Sequence, residues 1–195
     1  MSETERPARP PGRDRQQPPP PVTAERLERA ALLYLERFSA SAASLRRVLA
    51  RRVERSARDH GSDPAEGAGW IEALILRYRQ SGLLDDAVYA EAKAGSLRRR
   101  GASARAIRDR LAAKGVDTGI AAAALARTDQ DSGHAESAED TAALALARRR
   151  RLGPFRPEAR RAEQRSRDLA ALGRAGFSYE TARRVIDAKF EPEEP

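Results

Sequence analysis

The sequence has 195 residues, with 37 Lys and Arg against 29 Asp and Glu, so its net charge is +8 at pH 7. Half of its apolar residues are alanine, and Leu, Ile, Val and Phe together make up only about 17% of the chain. This composition excludes a large core of bulky side chains and favours thin helices in small units, because alanine is the best helix former. The absence of cysteine excludes disulfides, thiolate metal sites and a cysteine nucleophile.

Residues 1–22 hold seven of the twelve prolines and lack periodic apolar residues, so we expect a disordered Pro/Arg-rich tail. Its four arginines form either a basic arm that reaches a partner or part of a dispensable linker. The first 15 residues carry charges throughout, and no apolar run approaches the about 18 residues that span a bilayer. We therefore expect a cytoplasmic protein without a secretory signal or a membrane partner.

Helical periodicity and capping residues predict six helices between residues 23 and 127. Their predicted N-caps are Thr23, Ser41 or Ser44, Asp63, Asp85, Ser103 and Asp117. The glycines that end these helices are Gly61, Gly82, Gly101 and Gly115. Three further helices are predicted at residues 141–152, 157–174 and 178–189, and no strand-like alternation occurs.

Residues 128–140 separate the two helical regions and are predicted to form a flexible acidic linker. They contain five acidic residues, no Lys or Arg, and only small apolar side chains, so we expect no packing in a core. One interpretation is a hinge that lets the last helices move relative to the rest. The alternative is an insertion in a rigid array.

The helices repeat along the chain. A shift of 61 residues places Leu111 and Gly115 on Leu172 and Gly176, and a shift of 62 relates an earlier copy less closely. The predicted fold is therefore all-α, an elongated tandem array of about three three-helix units with nine helices and no sheet. The predicted first repeat comprises residues 23–62, with residues 63–80 as its third helix. The second repeat, counted together with that preceding helix, comprises residues 63–127. The third repeat comprises residues 141–190, and residues 191–195 form a tail.

No pattern in the sequence supports catalysis or the binding of a cofactor or metal. His60 and His134 each stand alone in polar segments, and metal sites need several ligands at defined spacing. Asp85 and Asp86 are adjacent carboxylates, but Asp85 is accounted for as an N-cap. No glycine-rich phosphate loop or nucleophile elbow is present. We expect a protein that is not an enzyme.

Clusters of arginine are the strongest functional signal. Guanidinium groups suit phosphates and carboxylates, which predicts a surface that contacts a polyanion or an acidic protein. Two structural causes of the clusters stay open beside this role: arginines complement helix C-termini, and 34 Arg against 3 Lys suggests a compositional bias. A third basic set follows residue 147 and begins with the run Arg148–Arg151, which precedes Gly153 as Arg98–Arg100 precede Gly101, at a shift of 52 residues. The candidate surface residues are Arg46, Arg47, Arg51, Arg98, Arg99, Arg100, Arg105 and Arg108.

Several of these segments resemble the RecX family of regulatory proteins. The resemblance covers about residues 23–190 and is strongest over residues 70–125. The sequence departs from the family pattern at Val53, where a glycine often ends the second helix, and at Ala175, where a basic residue often stands. The segments that carry it are Tyr34–Ser39, Leu45–Leu49, Gly82–Asp86, Tyr89–Ala90, Arg98–Ser103, Ile107, Leu111, Lys114–Val116, Leu172 and Gly176–Tyr179.

The resemblance implies a partner and a role. RecX-type proteins bind the RecA recombinase, lie in the groove of its nucleoprotein filament on DNA, and limit recombination and the SOS co-protease activity. They are not enzymes and need no cofactor. We accordingly expect a monomeric regulator of RecA. The alternative is a general basic nucleic-acid-binding protein without a RecA partner.

Overall fold

The computed structural model describes residues 19–130 and 135–188, and every regular element in this part of the chain is helical. Two short 3-10 turns, Gly153–Phe155 and Glu158–Arg160, precede the eighth α-helix. The predicted all-α fold with nine helices is confirmed for the described residues. The helices are α1 (Ala24–Arg37), α2 (Ala42–His60), α3 (Pro64–Gln80), α4 (Asp86–Arg99), α5 (Ala104–Ala113), α6 (Thr118–Gln130), α7 (Ala135–Arg150), α8 (Arg161–Arg174) and α9 (Tyr179–Ile186).

Local capping explains where most of these helices begin. Asp117 accepts hydrogen bonds at Oδ1 from the N–H groups of Gly119 (2.7 Å) and Ile120 (3.3 Å) at the start of α6. Such bonds satisfy N–H groups that have no partner within the helix. Equivalent side-chain caps occur at Thr23, Ser41, Asp63, Asp85, Ser103 and Ser178.

Three buried apolar clusters divide the helices into three successive units. Unit one contains α1 to α3 around Leu45 and Leu49. Unit two contains α4 to α6 around Ile107 and Leu111, and unit three contains α7 to α9 around Leu172. Many of the other buried side chains are alanine, which lets the short helices pack closely. The helix α3 shares the core of α1 and α2, so residues 63–80 pack in unit one.

Units one and two meet through the N-terminus of α2, in what we call the first junction. Ser41 donates a hydrogen bond from Oγ to the backbone oxygen of Lys114 at the end of α5 (2.6 Å). The N–H group of Ala42 donates to Oδ1 of Asp86 in α4 (2.8 Å). Side chains of one unit and backbone of the other therefore satisfy each other's polar groups.

Units two and three meet in the same way at the second junction. Ser103, which lies 62 residues after Ser41, donates from Oγ to the backbone oxygen of Ala175 at the end of α8 (2.8 Å). The N–H group of Ala104 donates to the carboxylate of Glu139 in α7, with 3.1 Å to the nearer oxygen. The internal repeat of the sequence thus corresponds to a repeated contact between units.

A glycine follows the accepting carbonyl at each junction. Gly115 and Gly176 have positive φ angles of 74° and 93°. A Cβ atom on Gly115 would lie 2.4 Å from Cβ of Ala43, and one on Gly176 would lie 2.6 Å from Oγ of Ser103. Only glycine allows both the left-handed backbone and the close approach of the neighbouring helix.

Residues 128–140 were expected to form an unpacked linker, and this is wrong for the described residues among them. The helix α6 runs to Gln130 and α7 begins at Ala135, six residues before the predicted start. Asp129 is buried, and its carboxylate and that of Glu139 bind the guanidinium of Arg98. The expectation failed because it counted acidic charges without the buried cation that neutralises them. Residues 131–134 lie outside the described part, and the hinge stays a prediction.

The segment before α8 also differs from the prediction of a helix starting at Pro157. The helix α8 begins at Arg161 after the two 3-10 turns. The buried carboxylate of Asp168 accepts hydrogen bonds from the N–H group of Gly153 (2.8 Å) and from Nε and Nη2 of Arg156 (both 2.7 Å). Burial alone would raise the pKa of Asp168, but the bonds to Arg156 and Gly153 lower it below its usual range.

The two ends of the array lack the contact that joins the units. The helix α2 continues past Val53, the position of the glycine in the other units, and ends only at His60. At the other end, α8 has no side-chain N-cap where Ser41 and Ser103 cap α2 and α5. The repeated junction therefore occurs twice in the described structure and does not extend beyond units one and three.

Candidate polyanion-binding cleft

A strongly basic cleft lies at the second junction, and we call it the basic cleft. Its volume is about 480 Å³, and arginines from four helices line it without any carboxylate. These are Arg100 at the end of α4, Arg110 of α5, Arg149 and Arg150 of α7, and Arg174 of α8. Units two and three both contribute to it.

The five arginines lie in or directly after the last turns of their helices. A helix C-terminus carries the equivalent of about half a negative charge, which favours cations there. Four helix ends therefore offset about two of the five positive charges. The basic cleft keeps a surplus of positive charge that helix-end complementarity does not explain.

Most of these guanidinium groups are available to a ligand. Nη1 of Arg149 donates to the backbone oxygen of Arg100 at 2.8 Å. Within residues 19–130 and 135–188, none of the five arginines forms an ion pair. Each guanidinium has five N–H donors, so several donors of the cleft have no protein acceptor.

Gly101 brings the two sides of the basic cleft together. It has a φ of 77°, and a Cβ atom there would lie 2.7 Å from the backbone nitrogen of Leu146 and 2.8 Å from the backbone oxygen of Ala142. The backbone of α7 therefore packs directly against this glycine. This close approach places Arg149 beside Arg100.

The eight arginines predicted as a contact surface are spread over two units. Only Arg100 lines the basic cleft, and Arg99 is exposed next to it in the chain. Arg105 and Arg108 are exposed on α5 of the same unit. These four lie in unit two. Of the other four, three lie on α2 of unit one, and the last is buried in α4 of unit two.

The buried residue is Arg98, and here the structure contradicts the predicted surface role. Its side chain is 7% exposed, and Nε and Nη2 each donate to an oxygen of Asp129 at 2.8 Å. Nη1 donates to Glu139 and to the backbone oxygen of Ala102. Burial opposes the charged form of Arg98, but the two carboxylates outweigh it and raise its pKa. Arg98 thus joins α4, α6 and α7, a role that a run of three arginines does not distinguish from exposure.

The three arginines on α2 lie in unit one. Arg46 forms an ion pair with Glu72 of α3, with 2.5 Å between Nε and Oε1. Arg47 donates to the backbone oxygen of Ala113 at 3.3 Å across the first junction. Arg51 is exposed. Two of these three are therefore already engaged with the protein itself.

Sequence reasoning missed four of the five residues of the basic cleft as candidate site residues. The runs that contain Arg100, Arg149 and Arg150 were recognised as equivalent ends of repeated helices. Arg110 and Arg174 each stand in the last turn of the second helix of a unit. That shared position is a usable signal, but the meeting of four helix ends is a tertiary property.

The chemistry that the cleft supports is anion binding. In the described ranges, no group of three or more His, Cys, Asp or Glu is placed to hold a metal ion. Nε2 of His60 lies 2.6 Å from the backbone oxygen of Pro19, and His134 lies outside the described residues. None of the described helices is long and apolar enough to cross a membrane. Converging guanidinium groups are suited to phosphate oxygens by charge and by geometry.

Comparison with known proteins identifies relatives across most of the chain. A family model described as "RecX, second three-helix domain" matches residues 85–125, which begin at the N-cap of α4 and end within α6. The Regulatory protein RecX of Myxococcus xanthus is 47% identical over 171 residues, covering 87% of this chain and 89% of the relative.

More distant relatives carry the same name. The Regulatory protein RecX of Mycobacterium leprae is 31% identical, covering 90% of this chain and 94% of its own. That of Agrobacterium fabrum is 29% identical, covering 80% of this chain and 79% of its own. The comparison with solved structures found no match.

Proposed function

Because this chain belongs to the RecX family of regulatory proteins, we propose that it binds RecA and its nucleoprotein filament on DNA. In this role it is a non-catalytic, monomeric, cytoplasmic regulator that limits recombinase activity and the SOS co-protease activity. The observation that carries the proposal is the 47% identity to a regulatory protein over 87% of the chain. The relatives are named as regulators, which favours a binding role over a catalytic one.

The basic cleft supports contact with the DNA of the filament. Its five arginines present a surplus of positive charge between units two and three, on a chain with net charge +8. Arg99, Arg105 and Arg108 are exposed on the same unit as Arg100 and extend the basic surface. We propose that phosphates of the DNA backbone bind in the cleft. Arg46, Arg47 and Arg51 then form a second, weaker contact region on unit one.

A second candidate is general nucleic-acid binding without a RecA partner. The same arginines favour it, because a basic cleft without carboxylates binds any accessible phosphodiester. The two candidates differ in whether a protein surface contributes to recognition. They are therefore separable by comparing naked DNA with RecA-coated DNA.

The first experiment measures RecA-catalysed ATP hydrolysis on single-stranded DNA at increasing ratios of the full chain. We expect the rate of ATP hydrolysis to fall as the ratio rises if the protein acts on filaments. A folded sample that leaves the hydrolysis rate unchanged at every ratio would overturn the RecA proposal. Tight binding to naked DNA at physiological salt, unaffected by RecA, would favour the second candidate.

The second experiment locates the phosphate contact. The double variant Arg149→Ala/Arg150→Ala is compared with a matched double variant on α2, Arg51→Ala/Arg55→Ala, in salt titrations of single-stranded DNA binding. Each lost phosphate contact lowers the slope of log K against log salt by about 0.7 on a single strand. We expect a lower slope by about 1–1.4 for the cleft variant and a smaller change for the α2 variant. The reverse ranking would move the contact to unit one.

A further inference from the structure

A second surface feature, an apolar groove, lies where unit one meets unit two. Its volume is about 380 Å³, and it lies between the end of α1, the loop before α4 and the first turn of α4. Four of its lining side chains are large, apolar and between 41% and 64% exposed: Leu32, Phe38, Leu83 and Val88. The described residues include only three other exposed large hydrophobic side chains: Leu33, Leu76 and Tyr179. Such clustering on a small protein marks an interaction surface.

The charge of the groove differs from that of the rest of the molecule. Two carboxylates, Glu36 and Asp85, line it, and no Lys or Arg does so. Asp85 uses Oδ1 to cap α4 through the N–H groups of Ala87 and Val88, and Oδ2 has no hydrogen bond within the described structure. An occupant that complements this groove places an apolar side chain next to a lysine or arginine.

The groove and the basic cleft lie at opposite ends of α4. Asp85 precedes this helix and Arg100 follows it, and 14 residues of helix span about 20 Å. The carboxylates of the groove repel phosphates, so nucleic acid fits the cleft and not the groove. A partner made of both protein and nucleic acid fits both surfaces at once.

We propose that the apolar groove docks a segment of the protein component of the filament, with an apolar side chain flanked by a basic one. This inference rests on the proposed function, since it takes the RecA subunit as the partner. A second copy of this chain is a poor occupant, because it brings the same carboxylates and the same net charge of +8. Residues 1–18 are also a poor occupant, because they contain no Leu, Ile, Val, Phe, Tyr or Trp.

The test uses the full chain and the variants Leu83→Glu and Val88→Glu, with Leu76→Glu as matched control. All three side chains are at least half exposed, and only Leu76 lies outside the groove. Affinity is measured by co-sedimentation with RecA filaments, and binding to naked single-stranded DNA is measured in parallel. We expect at least a tenfold loss of filament affinity for the two groove variants, with no change for the control and no change in naked DNA binding.

A charge variant sharpens the test. Glu36→Lys is expected to weaken filament binding several-fold, because it places a cation beside the basic residue of the occupant. Glu54→Lys, an exposed position on α2, is its control. Equal loss for Glu36→Lys and Glu54→Lys would show only a general charge effect and would overturn the assigned chemistry of the occupant.

The outcomes distinguish this inference from the function on which it rests. Wild-type protein that does not sediment with RecA filaments overturns both. Wild-type binding with unchanged affinity of both groove variants overturns the groove alone. A wild-type dimer that Leu83→Glu dissociates would identify a second copy as the occupant, and stronger filament binding after deletion of residues 1–18 would identify the tail.

Discussion

The first and second junctions use the same hydrogen bonds but differ in charge. At both, a serine N-cap donates across the interface to the end of the next unit's second helix. At the first junction Asp86 accepts only from the N–H group of Ala42 across the interface, whereas Glu139 at the second accepts from Ala104 and from buried Arg98. The first junction thus joins its units through hydrogen bonds between side chains and backbone, and the second junction adds a buried ionic network to the same bonds.

The largest expected effect comes from removing the cation of that network. Arg98→Ala leaves Asp129 buried without its counter-charge, which costs about 3–5 kcal/mol of unfolding free energy. Chemical denaturation followed by circular dichroism measures it, and Arg99→Ala at the exposed neighbouring position is the control, expected within about 0.5 kcal/mol of wild type. A loss below about 1 kcal/mol for Arg98→Ala would show that the second junction is no more dependent on charge than the first.

The junction glycines give the next largest effect, and they test whether the two junctions are equally tight. Gly115→Ala and Gly176→Ala each combine a left-handed backbone with a close contact, so we expect about 2–4 kcal/mol of destabilisation in chemical denaturation. Gly82→Ala is the control, because Gly82 has a φ of 73° and a Cβ atom there would meet no atom within 4 Å. It is expected to cost only about 1–2 kcal/mol.

The contact part of the Gly115 effect is itself testable. Ala43→Gly removes the atom that the new methyl group of Gly115→Ala would meet. We therefore expect the double variant to regain the part of the unfolding free energy that Gly115→Ala loses beyond Gly82→Ala. The intrinsic cost of a glycine in α2 reduces this gain. No coupling between the two substitutions in a double-mutant cycle would contradict the close approach at the first junction.

The carboxylates at the junctions distinguish the two sites at a smaller scale. Glu139→Gln removes the charge that serves both Arg98 and the N-terminus of α5, and we expect about 1–3 kcal/mol of destabilisation. Asp86→Asn affects only one backbone N–H group across the interface and is expected to cost about 0.5–1 kcal/mol. Equal effects in thermal denaturation would contradict a special ionic role for the second junction.

The serine caps give the smallest effect and are expected to be the same at both junctions. Ser41→Ala and Ser103→Ala each remove an N-cap bond and a bond across the interface, at about 1–2 kcal/mol. Ser178→Ala, which caps α9, provides the cost of a cap alone, at about 1 kcal/mol. A difference of more than about 1 kcal/mol between Ser41→Ala and Ser103→Ala would show that the two interfaces are not equivalent.

Local features of the sequence were sufficient to locate the starts of α1 to α6 and α9, whereas the start of α7 and the ionic network depended on tertiary structure. Caps such as Asp63 and Asp85 act on N–H groups two or three residues away, so the chain itself contains the signal. The start of α7 was misplaced because Glu139 is stabilised by Arg98, which lies 41 residues earlier. The composition of an acidic segment does not show whether it is a solvated linker or is neutralised by a cation from a distant part of the chain.

The candidate site shows the same limit. Repetition indicated that the runs ending at Arg100 and Arg151 are equivalent, but not that α7 packs on Gly101. That packing gathers helix ends from two units into one cleft. The burial of Arg98 between exposed neighbours likewise follows from the direction in which one side chain of the helix points, which depends on how α4 packs against α6 and α7.

The near-equal sequence separation of the two junction bonds has a consequence for folding. The serine bonds join residues 73 and 72 positions apart, whereas the buried core of each unit lies within a shorter continuous stretch of the chain. Each unit can therefore form from local contacts, and neighbouring units then dock with similar loop-closure entropy. Cooperativity passes from unit to unit through these two interfaces, so a variant that breaks one of them should unfold in two steps that different spectroscopic probes resolve.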